Sequence, residues 1–230
     1  MHSKNKISSA IIKWIIHECD RLANWQTNLS VQEQMQLTSS KKRFNQIKFS
    51  YLDAYYRICH TTPLILETIT ALHWKEEHDA IQFWTEHLQE EVSHDKIMKK
   101  DLIFIFGSEK KIMLQPTITP PSSALLGYFY WQAYKGNPHL LILFRLFLEY
   151  SMSHFKHSIA NIAKTLSHRA TKSLKLHTEL DSEHSHECLI YIDSYFHSDD
   201  IPNLKSLITF ISQQLIESQI WITRVWQKKS

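Results

Sequence analysis

Glycine is scarce in this chain, with 3 in 230 residues, beside 6 prolines and 3 cysteines. So few turn-formers exclude a β-sandwich, a barrel or a glycine-rich phosphate loop, and they favour long helices. Cys19, Cys59 and Cys188 are odd in number and contain no C-x-x-C, which excludes a disulfide scaffold and reads as reduced thiols in a cytosolic protein. Charge of one sign is also lacking. The net charge is +3 and the lysines are scattered, which does not support a nucleic-acid partner. No long apolar run is present. The greasiest stretch, Leu140 to Leu148, is interrupted by Arg145 and falls well short of the ~20 residues that cross a bilayer. The N-terminal run Ala10 to Ile16 contains Lys13 and leads into polar residues, so it reads as an amphipathic helix rather than a signal peptide.

What is present is helical periodicity. It predicts helices over about 7–27, 40–60, 63–77, 78–106, 120–136, 138–166, 169–196 and 199–227. Pro63, Gly107, Pro116, Pro120 and Gly136-Asn137-Pro138 punctuate them, and Asp199-Asp200-Ile201-Pro202 has the form of a helix start. At 43% hydrophobic the chain is ample for one large core. The expectation is a single all-α domain over 1–230.

Polar residues intrude on the apolar stripes. His177, Asp181 and His184, spaced by four and three, share one helical face with Leu174, Cys188, Tyr191 and Tyr195. Two imidazoles and a carboxylate aimed into a core need a partner there, and a divalent metal is one. The bland alternative is a structural cluster, with the aspartate hydrogen-bonded between two histidines. A second stripe reads Trp84, His87, Glu91, His94, Met98, Asp101, Ile105. Glu91 and His94 form the Glu-x-x-His spacing of carboxylate-bridged di-iron bundles. Glu90 is adjacent and replaces Glu91 if the helix is rotated. His87 is either a surface residue or one that orients a ligand through its second nitrogen. Glu149 closes the apolar run after Leu140; it is either a metal ligand or the i, i+4 partner of Arg145. Trp84, Tyr128, Tyr130, Trp131 and Tyr134 read as core or as substrate-pocket lining. Trp221 and Trp226 allow a homodimer.

The segments His87-Leu-Gln-Glu-Glu-Val-Ser-His-Asp95, Pro138 to Glu149 and Leu176-His-Thr-Glu-Leu-Asp-Ser-Glu-His184 together resemble the haem-oxygenase-like di-iron oxidases and oxygenases. The resemblance implies a bundle of seven to eight helices with iron at its centre. It implies Glu91, His94, Glu149, His177, Asp181 and His184 as metal ligands, and two Fe ions per chain, with Mn or a mixed Fe/Mn pair as variants. It further implies O2 and a small organic molecule as reactants, from fatty acids to amino acids and guanidines. Ser93 stands where such relatives usually carry glycine, which at this level alters local packing alone. A true haem oxygenase would need a glycine-rich distal helix, which the dispersed Gly107, Gly127 and Gly136 do not provide. Two other readings remain open: a metal-free thiaminase-type enzyme using a cysteine, with Cys188 one turn beyond His184, and a non-catalytic helical interaction protein.

Overall fold

The computed structural model describes residues 5–115, 118–154, 161–162, 165–166 and 172–226, without the side chains of 5–6, 153, 177–183 and 226. Among these residues there is no β-strand. The long helices are α1 (Asn5–Ala23), α3 (Ser40–Ile58), α4 (Thr61–His73), α5 (His78–Glu91), α6 (His94–Phe106), α8 (Pro120–Lys135), α9 (Leu141–His154), α10 (Lys172–Tyr195) and α11 (Ile201–Trp221). Two short ones, α2 (Val31–Leu37) and α7 (Glu109–Met113), fill stretches that periodicity leaves irregular.

Local chemistry explains the boundaries. Ser30 and Glu33 form a reciprocal capping box at the start of α2. Ser108 Oγ accepts from the Lys111 N–H at α7. Thr119 caps α8, whose first turn holds Pro120 and Pro121, where no N–H is needed. Gly107 ends α6 with φ +84°, the left-handed position that favours glycine.

The expected single helix over 78–106 is two. The chain breaks at Val92 and Ser93, and Ser93 sits in the left-handed region with φ 85°. A serine there bears a steric cost of ~1–2 kcal/mol that glycine would not. Its substitution for glycine therefore acts on backbone energy, beyond the local packing read from the sequence. Counting α5 and α6 as one bent rod, the bundle has eight long members among the described residues.

The main core is built by α1, α4, α5, α8, α9, α10 and α11, with Ile11, Ile15, Leu64, Ile65, Trp84, Leu125, Phe129, Phe147, Ile192 and Ile208 among its buried side chains. Phe129 stacks on Phe144 at 5.0 Å. A second cluster joins α3, α6 and α7 through Phe49, Leu52, Met98, Leu102, Phe106 and Ile112. Each fully buried aliphatic or aromatic side chain contributes ~1.5–3 kcal/mol against its exposed state, so these two clusters carry the fold. Helix α9 lies against α10, α1 against α11, α4 against α5, and α3 against α6. Among the described residues no helix is long and apolar enough to cross a membrane.

A buried polar joint ties three helices together away from the apolar clusters. Asp53 of α3 is fully buried. Its Oδ1 accepts from the Thr119 N–H at 2.8 Å, and its Oδ2 accepts from Ser122 Oγ at 2.7 Å and Ser218 Oγ at 2.8 Å. Arg57 completes the set as an ion pair one turn along α3. Burial works to raise the Asp53 pKa, but Arg57 and the three donors together outweigh it and hold the carboxyl below its usual value.

Candidate functional site

Helix α5 ends on Glu91 and helix α6 begins on His94, so the break at residues 92–93 falls between the two. The pair still meets: His94 Nδ1 donates to Glu91 Oε2 at 2.9 Å. The proximity expected from an uninterrupted helical turn is thus produced by a tight bend. Both side chains are buried, Glu91 at 9% and His94 at 8% exposure. The hydrogen bond to Glu91 raises the His94 pKa against the opposing effect of burial, and Glu149 adds to it.

Glu149 lies within α9 rather than at its end, buried at 6%. Its Oε2 is 3.7 Å from His184 Nδ1, and its Oε1 is 3.7 Å from Arg145 Nε one turn earlier. The i, i+4 approach to Arg145 is therefore present, and an imidazole lies on the other carboxylate oxygen. Glu149 raises the His184 pKa, again against burial. His184 projects from α10, which also carries residues 177 and 181. The side chains of His177 and Asp181 lie outside the described residues, so their placement is not reported.

Glu90 and Glu91 face different spaces. Glu91 and Glu149 line an inner cavity of about 200 Å3, walled by Ile58, Leu64, Ile65, Trp84, Met98, Leu141, Phe144, Leu148 and Met152. Glu90, 46% exposed, lines an outer groove of about 350 Å3 between α5 and α10. It nevertheless approaches the cluster, at 3.5 Å from His184 Nε2, 3.6 Å from His87 Nδ1 and 3.8 Å from Arg145 Nη2. His87 and Arg145 line both spaces and form the partition between them. His87 is 3% exposed, with Nε2 3.9 Å from Glu91 Oε1. Burial first, then Arg145, His184 and His94, push its pKa far down, so the ring is neutral. His87, which its place on the stripe leaves undecided, is thus buried.

Tyr51 donates to Asp101 Oδ2 at 2.9 Å and is bonded to Ser173 Oγ; the Ser173 N–H donates to the same Asp101 oxygen at 2.9 Å. Tyr51 and Ser173 also line the inner cavity. Periodicity had put Asp101 on the site's own stripe without disclosing its partners. Arg145 was signalled only as the one charge interrupting an apolar run.

Other candidates fall elsewhere. Trp84 is fully buried and its Nε1 donates to Tyr191 Oη at 3.1 Å, so it is both core and cavity wall. Tyr128, Tyr130, Trp131 and Tyr134 line neither space; Trp131 and Tyr134 are exposed. Trp221 is half-buried against the second cluster rather than exposed, and the Trp226 side chain lies outside the described residues. None of the three cysteines lines either space. Cys188 is fully buried and its thiol is pushed up to about 12 by that burial; Cys19, likewise buried, is pushed up to about 11.

The backbone path carries a recognisable architecture. A domain of unknown function from Shewanella denitrificans OS217, described as having a haem oxygenase-like fold, superposes with a TM-score of 0.65 at 16% identity, over 90% of this chain and 93% of that one. The fold is haem oxygenase-like. A TenA homologue from Pseudomonas syringae pv. tomato DC3000 superposes similarly, with a TM-score of 0.64 at 12% identity, over 91% of this chain and 92% of that one. No protein-family model and no curated protein matches the sequence.

Two carboxylates and two imidazoles from four helices are the right donors for a first-row divalent ion. His184 Nδ1 is buried and makes no hydrogen bond among the described residues, which suits a nitrogen awaiting a metal. Among the described residues, however, no three His, Cys, Asp or Glu side chains are already gathered closely enough to hold an ion. The described donors fit such an ion by their chemistry.

Proposed function

We propose that this chain is a non-haem, metal-dependent oxidase or oxygenase that uses O2 on a small, largely apolar organic substrate. The observation that carries the reading is that Glu91 and Glu149 line one apolar cavity, with His94 hydrogen-bonded to Glu91 and His184 3.7 Å from Glu149. In the sequence, the spacing of His177 and Asp181 with His184 makes them further candidate donors. Iron, or manganese in its place, would supply the electrons that reduce O2. The chain's own residues do the rest. Glu91, His94, Glu149 and His184 supply anionic and neutral donors from four helices. The aliphatic and aromatic wall excludes water and orients an apolar substrate against them. His87, held neutral by burial, lies 3.9 Å from Glu91 and adds no charge beside it.

The fold shared with a TenA homologue also admits a thiaminase-type enzyme. Cysteine chemistry is disfavoured here, because no cysteine reaches the cavity and two of the three thiols are held protonated by burial.

The test is anaerobic loading with Fe(II), metal analysis, and then O2 uptake with a reductant. Retained iron and O2 consumption support the reading, as does loss of both in H184A and E149Q with helical content unchanged. No retained iron in the wild type overturns it.

A further inference from the structure

Four side chains outside the carboxylate–imidazole cluster form one continuous polar chain. Trp84 Nε1 donates to Tyr191 Oη at 3.1 Å. Tyr191 Oη lies 2.7 Å from His139 Nδ1, and His139 Nε2 lies 2.7 Å from Glu77 Oε2. The donor inventory orders the protons. An indole N–H can only donate, so Tyr191 receives it and turns its own hydrogen toward His139 Nδ1. The other imidazole nitrogen then carries a hydrogen that it donates to the Glu77 carboxylate. Burial lowers the His139 pKa against the pull of Glu77, so the ring is neutral at rest and able to take a proton. The same residues join the two spaces of the site. Trp84, fully buried, walls the inner cavity together with Glu91 and Glu149. Tyr191 and the half-buried Tyr195 line the outer groove. Ring centroids are 5.9 Å apart from Trp84 to Tyr191 and 4.5 Å apart from Tyr191 to Tyr195.

Indole and phenol rings are among the side chains most readily stripped of one electron. A phenol that loses an electron becomes strongly acidic, so its oxidation needs a base at hydrogen-bond distance. Tyr191 has one in His139, and Glu77 stabilises the imidazolium that results. We propose that Trp84, Tyr191 and Tyr195 carry single electrons from the outer groove to the inner cavity, with His139 and Glu77 holding the proton that Tyr191 releases. This rests on the O2-dependent reading above, which supplies an O2-derived oxidant in the cavity. That oxidant takes one electron from Trp84. Tyr191 returns an electron to the indole, and its O–H proton passes to His139 Nδ1. A neutral tyrosyl radical and an imidazolium paired with Glu77 remain. A soluble one-electron reductant then restores Tyr191 through Tyr195, and His139 gives the proton back. The net passage is one electron from reductant to oxidant, with no proton gained or lost by the chain.

The test uses the full chain, loaded anaerobically with Fe(II), exposed to O2 without reductant and frozen rapidly for electron paramagnetic resonance. Wild type gives a tyrosyl radical that added ascorbate removes. Y191F retains its iron, loses that radical and leaves a tryptophan radical in its place. H139Q, which can keep a hydrogen bond but is a far weaker base, lowers the tyrosyl yield several-fold in favour of tryptophan. Y195F forms the radical and slows its removal by ascorbate. Should Y191F fail to fold, H139Q, with every aromatic ring in place, carries the comparison. Iron retained and O2 consumed without a tyrosyl radical in the wild type overturns the inference, and so does an equal tyrosyl yield in wild type, Y191F and H139Q. No iron retained by the wild type overturns the metal-binding reading, and this inference with it.

Discussion

Replacing Asp53 by alanine is the sharpest test of what holds these helices in place. The carboxylate is fully buried and serves three helices at once: it receives the Thr119 N–H and Ser122 Oγ at the head of α8 and Ser218 Oγ of α11, and it pairs with Arg57 of its own helix α3. D53A leaves the Thr119 N–H without its acceptor, a loss of ~1–3 kcal/mol. It also leaves Arg57, whose side chain is 11% exposed, without its counter-ion. Breaking a buried pair from one side costs ~3–5 kcal/mol, and the two losses overlap because they share one site. The expected outcome is a loss of about 3–5 kcal/mol, a large part of the ~5–15 kcal/mol that holds a domain folded. Urea unfolding followed by far-UV circular dichroism measures it. The pH dependence gives a second readout. The folded-state pKa of Asp53 is depressed, so its contribution is fully present above the unfolded value of ~3.9 and is lost as pH falls through the folded value. D53N, which cannot titrate, should lack that component of acid destabilisation. A loss below about 1 kcal/mol in D53A, or acid profiles that superpose for D53N and wild type, would refute the reasoning.

Ser93 occupies a conformation suited to glycine, so S93G should stabilise the protein by about 0.5–1 kcal/mol, after the entropy of the added glycine is set against the relieved strain; a destabilisation in urea unfolding would contradict the strain. W84A removes a fully buried indole and its hydrogen bond to Tyr191, with an expected loss of ~3–5 kcal/mol and a fall of roughly 10 °C or more in Tm by calorimetry. With iodoacetamide at mildly alkaline pH, half-buried Cys59 should be the first thiol labelled, while Cys19 and Cys188 react only on unfolding; rapid native labelling of Cys188, read by peptide mass spectrometry, would reopen the cysteine-enzyme reading.

The all-helical architecture was legible in the sequence because apolar periodicity and scarce glycine point the same way, and most long helices fall close to their expected spans, the one expected over 138–166 being described as Leu141–His154. The break between α5 and α6 was not, because its left-handed residue is a serine and carries no glycine signal. Helices α2 and α7 were missed because each is too short for a stripe, although the Ser30–Glu33 capping box was present to be read. The burial of Glu91, His94, Glu149 and His184 followed from their places in apolar stripes. Periodicity could not decide His87, since a ring at a stripe's edge is core or surface according to what faces it. Nor could it show that adjacent Glu90 and Glu91 open onto different spaces, or that Arg145 and Glu90 come together, because those relations depend on how α5, α9 and α10 pack.

The bend at Val92–Ser93 has a mechanical consequence. Helix α5 is rooted in the main core through Ala80 and Trp84, whereas α6 is rooted in the second cluster through Met98, Leu102 and Phe106. Glu91 and His94 therefore ride on separate foundations, and their separation reads out the relative position of the two cores. A substitution at Phe106, in the second cluster, is expected to shift one foundation against the other and so retune the pair. Selection acting on this protein can alter the reactivity of its centre through the plain hydrocarbon packing of a distant cluster, leaving every polar residue of the site in place.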